Sequence, residues 1–127
     1  MNQMERPVFL IEDNAQNRYL TIFLLESHGF SVVTAMDGLS AIELSKTFLP
    51  SAILLDIQLP KLDGYQVARI LRQDLRLRQV PIIAVTSYAM KGDRENALAA
   101  GCDGYIEKPI DPETFVSQIK KFMHSGG

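Results

Sequence analysis

The residues best placed to do chemistry are an aspartate that ends one apolar run and an acidic pair that ends another. Asp56 follows the apolar residues 52–55, and Glu12 and Asp13 follow the apolar residues 7–11. An ionised carboxyl at the end of a buried strand needs a metal, a cation or backbone donors to offset its lost hydration. Each also has an ordinary interpretation: Asp56 as a turn or capping residue, and the acidic pair as acids at a helix start, where the helix dipole favours them.

Two more polar residues stand at the ends of apolar runs. Thr86 follows residues 80–85, and Lys108 closes the short run around 105–106. A threonine hydroxyl can donate a hydrogen bond, and a lysine ammonium binds phosphoryl oxygens as a point charge. Taken alone, Thr86 would be a helix cap, Lys108 a solvated surface residue and Tyr105 a half-buried strand residue.

The elements that carry these residues alternate regularly along the chain. Short apolar or β-branched runs predict strands at 7–11, 30–35, 51–56, 80–85 and 105–106. A helix is predicted after each strand, the fourth at residues 90–100. The predicted inner faces are Tyr19, Leu20, Phe23 and Leu24 in the first helix, Leu39, Ile42, Leu44 and Phe48 in the second, Val67, Ile70 and Leu71 in the third, and Phe115, Val116, Ile119 and Phe122 in the last.

This alternation predicts an α/β fold with a five-stranded parallel sheet, helices on both faces and right-handed crossovers. We expect a single domain over residues 1–127, with a folded core at 6–124 and frayed tails at 1–5 and 125–127. Ligands in such folds bind outside the carboxyl ends of the strands. The candidate residues are therefore expected to meet at one edge of the sheet: Glu12, Asp13, Asp56, Thr86 and Lys108.

Composition and charge argue against several other classes of function. The net charge of −2 gives no electrostatic reason to bind nucleic acid or an anionic membrane. The single cysteine, Cys102, rules out an internal disulfide, and no secretory signal or membrane-spanning run is visible, so a cytoplasmic protein is expected. His28 and His124 are too few and too far apart for a zinc site. A basic set is predicted to be a solvated face of the third helix and its end: Lys61, Arg69, Arg72, Arg76 and Arg78.

The expected cluster has a definite chemistry. Three carboxylates at one edge repel each other unless a cation shares the site. An all-oxygen cluster of this kind suits Mg²⁺, which accepts one or two carboxylates together with phosphoryl oxygens. With Lys108 and Thr86 to contact a phosphoryl group, the residues predict a carboxylate nucleophile, Asp56, in a metal-assisted phosphoryl-transfer site.

These residues also carry a resemblance to a known family. Glu12-Asp13, Asp56 in the segment Leu-Leu-Asp-Ile-Gln-Leu-Pro, Thr86, Tyr105 and Lys108-Pro109 make the chain similar to a response-regulator receiver domain over essentially its whole length. The resemblance implies a flavodoxin-like fold with strand order 2-1-3-4-5. The segments Glu-Asp-Asn, Asp-Ile-Gln-Leu-Pro, Ala-Met-Lys-Gly-Asp and Gly-Cys-Asp look most like stand-alone regulators of the DivK type, and they also resemble receivers attached to hybrid kinases.

The resemblance implies a role for each site residue. Asp56 would accept a phosphoryl group from a phosphohistidine on a histidine kinase or a histidine phosphotransfer protein. Mg²⁺ would be held by Asp13, Asp56 and the backbone carbonyl of Gln58, with Glu12 acting mainly through a bound water. Lys108 would hold the phosphoryl group, and its bond to the following proline is expected to be cis.

The resemblance also implies a switch rather than an enzyme that turns over a metabolite. Thr86 would move toward the phosphoryl group and Tyr105 would turn inward, changing the surface of helix four, strand five and helix five. A downstream protein would read that surface, and the chain would be a monomer or a weak homodimer. Gln58 and Tyr88 would flank the approach of hydrolytic water, with Tyr88 shielding the acyl phosphate.

Three other functions stay open on the residues, each with an observation against it. A phosphatase of the haloacid dehalogenase type would carry a second aspartate where Gln58 stands. A nucleotide or flavin binder would show a glycine-rich turn after the first strand, where Glu-Asp-Asn-Ala-Gln-Asn stands instead. A scaffold that had lost phosphorylation would not be expected to keep all five site residues.

Overall fold

The computed structural model describes residues 6–60, 62–87 and 92–125, and within them it shows a parallel five-stranded sheet in the order β2-β1-β3-β4-β5. The predicted fold class and strand order are confirmed. The predicted start of the fourth helix at residue 90 lies outside the described residues, as do Lys61 and Tyr88. The strands are β1 (Val8–Ile11), β2 (Val32–Ala35), β3 (Ala52–Asp56), β4 (Ile82–Thr86) and β5 (Gly104–Glu107), and the helices are α1 (Ala15–Ser27), α2 (Gly38–Ser45), α3 (Gly64–Gln73), α4 (Asp93–Ala99) and α5 (Phe115–Ser125).

The sheet is buried on both faces because its central strands are apolar throughout. In β3, Ile53 and Leu55 pack into the layer under α2, α3 and α4, and Ala52 and Leu54 pack into the layer under α1 and α5. Side chains on a strand alternate between faces, so a continuous apolar run fills both layers. The last residue of that strand, Asp56, is the first polar one, and it is only 4% exposed.

Helix starts follow the polar residues that the sequence offers. Asn14 caps α1 by accepting a hydrogen bond from the Asn17 amide, and Asp37 caps α2 through the Ser40 amide. Asp63 caps α3 in a capping box with Gln66. At the end of α1, Gly29 adopts φ +87°, a left-handed conformation that favours glycine.

The predicted inner face of α1 is wrong for three of its four residues. Tyr19 is 76% exposed, Phe23 is 67% exposed and Leu20 is also exposed, whereas Leu24 is buried as predicted. The helix instead turns Thr21, Leu24 and Leu25 inward. Thr21 can be buried because its hydroxyl donates to the Asn17 carbonyl at 2.7 Å, so its polar atom is satisfied within the helix.

The prediction that Leu39 and Ile70 face inward is also wrong. Leu39 is 53% exposed because α2 buries Ala41 and Ser45, small residues that allow close packing on the sheet. Ile70 is 38% exposed, while Val67, Ala68 and Leu71 form the inner face of α3. The predicted face of α5 is confirmed in Phe115, Val116 and Ile119, which are buried, and Phe122 packs against the same layer.

Arg72 is not part of a solvated charged face. Its guanidinium folds back to donate to the carbonyls of Gly101 and Val80 at 2.8 Å and 2.7 Å and to the Asp103 carboxylate. Arg69 and Arg76 are exposed as predicted, although Arg76 also donates to the Ser45 carbonyl at 2.8 Å. The basic set therefore includes two residues that join helix ends to neighbouring loops.

Candidate functional site

The carboxyl ends of four strands bring the predicted site residues together at one edge of the sheet. Glu12 follows β1, Asp56 ends β3, Thr86 ends β4 and Lys108 follows β5. Glu12, Asp56 and Thr86 are at most 4% exposed. Parallel strands in register place their ends side by side, so residues that are far apart in the sequence become neighbours.

Lys108 joins the two buried carboxylates. Its Nζ lies 2.8 Å from Glu12 Oε1 and 3.3 Å from Asp56 Oδ2. The lysine side chain is only 10% exposed, so these contacts replace most of the hydration of its ammonium group. Charge-assisted hydrogen bonds of this kind offset the cost of burying the ammonium group and the two carboxylates.

Asp13 completes an acidic group with Glu12 and Asp56. One carboxylate oxygen from each residue lies within 4.8 Å of the others, and Asp13 is the exposed member. The backbone around the pair is fixed by Arg18, which donates to the carbonyls of Glu12 and Asp13 at 3.1 Å and 3.3 Å. The Asn14 amide donates to Glu12 Oε2 at 3.2 Å, so both oxygens of that carboxylate have partners.

Burial and the close approach of charged groups shift the pKa values of Glu12 and Lys108. Burial and the neighbouring Asp56 raise the pKa of Glu12 to about 7, although contact with Lys108 works in the opposite direction. Burial tends to lower the pKa of Lys108, but its hydrogen bond to Glu12 and the charge of Asp56 outweigh this and raise it. The pKa of Glu12 therefore stays raised in spite of the contact with Lys108.

The loop after Asp56 turns back over the carboxylate. The Gln58 amide donates to Asp56 Oδ1 at 2.9 Å, and the Gly64 amide closes the loop on the Ile57 carbonyl at 2.9 Å. Glycine is required at residue 64 because a Cβ there would lie 2.5 Å from the Ile57 Cα. Tight closure of this loop holds Gln58 beside the carboxylate. Its carbonyl as a metal ligand remains a prediction.

The switch candidates Thr86 and Tyr105 lie on adjacent strands. Thr86 is paired with Glu107 at the end of the two strands. Tyr105 is paired with Ala84, two residues farther from the carboxyl ends of the strands. Tyr105 is half-buried and lines an open cavity of about 320 Å³ with Ile106, Gln118, Lys121 and Phe122. The peptide bond between Lys108 and Pro109 is cis, as expected, and the Lys108 amide donates to the Thr86 carbonyl at 2.7 Å.

Two residues at the site were not predicted from the sequence. Arg18 lies on α1 and reaches back to the acidic pair, and Ser87 donates to Gln58 Oε1 at 2.9 Å. A basic residue within two turns after an acidic loop is a signal that could have identified Arg18. The serine contact depends on how two loops approach each other, which sequence spacing does not reveal.

The donor set fits a magnesium ion. Glu12, Asp13 and Asp56 offer only oxygen ligands, and their excess negative charge is what a divalent cation would compensate. Mg²⁺ prefers carboxylate and water oxygens and takes few protein ligands. The cluster therefore has the composition and charge of a magnesium site.

Comparison with known proteins identifies the class. The chain matches the family model of the response regulator receiver domain over residues 8–120. It is 41% identical over 120 residues to the polar-differentiation response regulator DivK of Brucella anthropi, which covers 94% of this chain and 98% of the relative. DivK of Brucella melitensis shows the same identity and coverage. The chain belongs to the response regulator receiver family of two-component signalling, and its likeness to DivK-type regulators is confirmed.

Solved structures agree on the fold. The receiver domain of the sensor histidine kinase PA1611 of Pseudomonas aeruginosa has a TM-score of 0.86 and is 36% identical, covering 94% of this chain and 98% of that one. That structure holds a magnesium ion in its active site cleft. The chemotaxis protein CheY4 of Vibrio cholerae, 23% identical with a TM-score of 0.87, shares the fold over 92% of this chain and 98% of that one. Within the described part of this chain, the helices are too short or too polar to span a membrane.

Proposed function

We propose that the chain is a phosphoacceptor switch, and the observation that carries this is the buried Asp56 held by Lys108 beside Glu12 and Asp13. A carboxylate that is 4% exposed, with one oxygen toward an ammonium group and the other toward a backbone amide, is fixed in position as a nucleophile. Its oxygen would attack the phosphorus of a phosphohistidine on a histidine kinase or a histidine phosphotransfer protein. The P–N bond breaks, its electron pair stays on the ring nitrogen, and the other ring nitrogen keeps its proton so that neutral imidazole leaves.

Lys108 and the acidic pair would act on the charge of the transferred group. Lys108 already contacts Asp56 Oδ2 at 3.3 Å, so its ammonium lies where a phosphoryl oxygen on that carboxylate would need a cation. Glu12, Asp13, Asp56 and the Gln58 carbonyl would hold Mg²⁺. Bound Mg²⁺ neutralises phosphoryl charge and lowers the barrier to transfer. Glu12 serves mainly through water and by fixing Lys108 at 2.8 Å.

Signal output would follow from the positions of Thr86 and Tyr105. Thr86 ends β4 next to Asp56, and Tyr105 lies on the adjacent strand among residues of α5. Movement of the Thr86 hydroxyl toward the phosphoryl group would leave space into which Tyr105 can turn. The surface of α4, β5 and α5 would then change, and a downstream protein would bind one of its two forms.

Other aspects of this function rest on the same family membership. The chain would act in the cytoplasm as a monomer or weak homodimer, without binding nucleic acid or membrane. It would promote its own phosphorylation and slowly hydrolyse the acyl phosphate, with no separate metabolite as substrate. The phosphatase alternative is disfavoured because Gln58, an amide that cannot transfer protons as a carboxyl does, stands two residues beyond the nucleophile.

Incubation with Mg²⁺ and acetyl phosphate, followed by a gel that retards phosphoproteins, tests the proposal. The unmodified sequence and Asp111→Asn should be retarded equally, since Asp111 is an exposed carboxylate whose hydrogen bond from the Glu113 amide an asparagine can also accept. Asp56→Asn should show no retardation. Retardation that survives in Asp56→Asn would exclude this residue as the acceptor.

A further inference from the structure

A side-chain hydrogen bond links two strand ends beside the acceptor carboxylate. Ser87 follows β4 directly, and its Oγ donates at 2.9 Å to Oε1 of Gln58, the second residue after β3. Gln58 is half-buried and its own backbone amide is held by Asp56 Oδ1 at 2.9 Å. The backbone and the amide head of Gln58 are thus fixed at two points, next to the carboxylate that the proposed function phosphorylates.

We propose that Ser87 is a positioning residue that lengthens the life of phosphorylated Asp56 by holding the oxygen of the Gln58 carboxamide. This inference rests on the proposed function and deepens it. Ser87 acts through Gln58 and does not itself contact the reacting atoms. Its effect is expected on the loss of the phosphoryl group, because phosphorylation uses the carboxylates, Lys108 and the backbone of Gln58, whereas Ser87 donates to the Gln58 side chain.

The hydrolysis step explains why the carboxamide oxygen matters. The oxygen of a water molecule attacks phosphorus, the bond between phosphorus and the Asp56 oxygen breaks, and its electron pair returns to the carboxylate. The water contributes its oxygen to inorganic phosphate, and its protons pass to phosphate and solvent. A glutamine can speed such a step when its carbonyl oxygen accepts a hydrogen bond from the attacking water and orients it.

In this structure the carboxamide oxygen is already engaged by Ser87. A carboxamide presents its acceptor on one side and its two donor hydrogens on the other. With Oε1 turned toward Ser87, the NH₂ group is the part of the side chain turned away from that serine. An NH₂ donor cannot accept a hydrogen from the attacking water, so the held glutamine occupies the approach without orienting a nucleophile.

Removal of the serine hydroxyl should release the carboxamide oxygen and shorten the phosphoryl lifetime. Each variant is phosphorylated with acetyl phosphate and Mg²⁺, freed of donor, and followed for decay of the phosphorylated fraction. We expect Ser87→Ala to decay about three- to tenfold faster, the size of effect expected for one hydrogen bond. Ser87→Thr keeps the hydroxyl and should restore the original rate. Ser117→Ala is the matched control, since Ser117 is exposed on α5 and donates only locally to the Thr114 carbonyl at 2.9 Å.

If Ser87 acts by positioning Gln58, the effect of Ser87→Ala on the decay rate should require the Gln58 carboxamide. A general loosening of the loop would not require it. Gln58→Leu keeps the size of the side chain and removes the carboxamide. In that background Ser87→Ala should have no further effect on decay, because no carboxamide oxygen remains to be released. The thermal unfolding midpoints of Ser87→Ala and Ser117→Ala should agree, which a merely destabilised site would not show.

The outcomes are distinguishable from those of the proposed function. If no variant is phosphorylated at all, the proposed function fails. If the chain is phosphorylated at Asp56 but Ser87→Ala decays at the original rate, or accelerates equally in the Gln58→Leu background, the role of Ser87 is refuted while the switch stands. Acceleration that Ser87→Thr reverses and Gln58→Leu abolishes supports the assignment.

Discussion

Single residues at the site matter mainly through charge. Lys108 is shared between Glu12 and Asp56, and the exposed Asp13 adds a third carboxylate to the same edge. The raised pKa of Glu12 follows from its burial and from the neighbouring Asp56, which together outweigh the lysine. An added divalent cation should therefore bind the folded chain more strongly than the unfolded one.

Magnesium should stabilise the folded chain in a way that depends on Asp13. A ligand that binds only the folded state at a hundred times its dissociation constant adds about 2.7 kcal/mol to the free energy of unfolding. Thermal unfolding with and without Mg²⁺ should show a rise in midpoint for the original sequence and for Asp111→Asn. For Asp13→Asn the rise should be much smaller. An equal rise in all three would place the ion elsewhere.

The elements show which parts of the fold could be predicted from the sequence. The strands were predictable because β1, β3 and β4 are continuous apolar runs, and each ends at or just before its first polar residue, which is also a site residue. The α1 face was predicted wrongly because two stripes compete at helical spacing. Tyr19 and Phe23 are the more apolar stripe, but Thr21 satisfies its hydroxyl internally and is the buried one. A buried polar residue whose hydrogen bond is made within its own helix cannot be found from the spacing of apolar residues.

Arg72 was also beyond prediction, because most of its partners are backbone carbonyls and the carboxylate that it contacts, Asp103, lies 31 residues away in the sequence. Its contacts join the end of α3 to the start of β4 and to the turn before β5. Carbonyls of any residue type can accept such bonds, so the sequence carries no mark of them. The shared site at the strand ends was predictable, whereas the Ser87 and Arg72 contacts depend on the packing of whole elements.

Replacing Arg72 should cost more stability than replacing a nearby arginine. Arg72→Ala removes the charged donor of the Gly101 and Val80 carbonyls, whereas the Leu77 carbonyl keeps the Val80 amide at 3.1 Å. Two hydrogen bonds from a charged group contribute about 1.5–3 kcal/mol each, and water can replace part of this at a partly exposed side chain, so a loss of about 2–4 kcal/mol is expected. Arg69→Ala, exposed on the same helix, should change the free energy of unfolding by less than about 0.5 kcal/mol. Urea unfolding measures both, and similar losses would show that the carbonyl contacts contribute little.

The molecule as a whole is a sheet between two apolar layers. A titratable group buried in either layer makes the stability of the folded chain depend on pH. Cys102 is 5% exposed in the layer under α2, α3 and α4. Burial raises the pKa of its thiol from 9.0 to about 11, with the nearby Arg72 acting in the opposite direction. The folded state therefore keeps the thiol neutral at pH values where the unfolded chain releases the proton.

Stability should fall as the pH rises from about 9 to about 11, in part because of this thiol. Below that range the thiol is protonated in both states, and within it only the unfolded state ionises, which favours unfolding. The difference in free energy of unfolding between the original sequence and Cys102→Ala should shrink across this range. A constant difference in urea unfolding on both sides of pH 9 would show that the thiol does not contribute.

Chemical trapping identifies the phosphorylated residue itself, which we propose is Asp56. After phosphorylation with acetyl phosphate and Mg²⁺, borohydride reduces an aspartyl phosphate to homoserine, which peptide mass spectrometry locates in the sequence. The site geometry predicts homoserine at residue 56, in the segment Leu-Leu-Asp-Ile-Gln-Leu-Pro, and no reduced side chain at Glu12 or Asp13. Reduction at any other carboxylate, or at none while the phosphorylated form is present, would contradict the account.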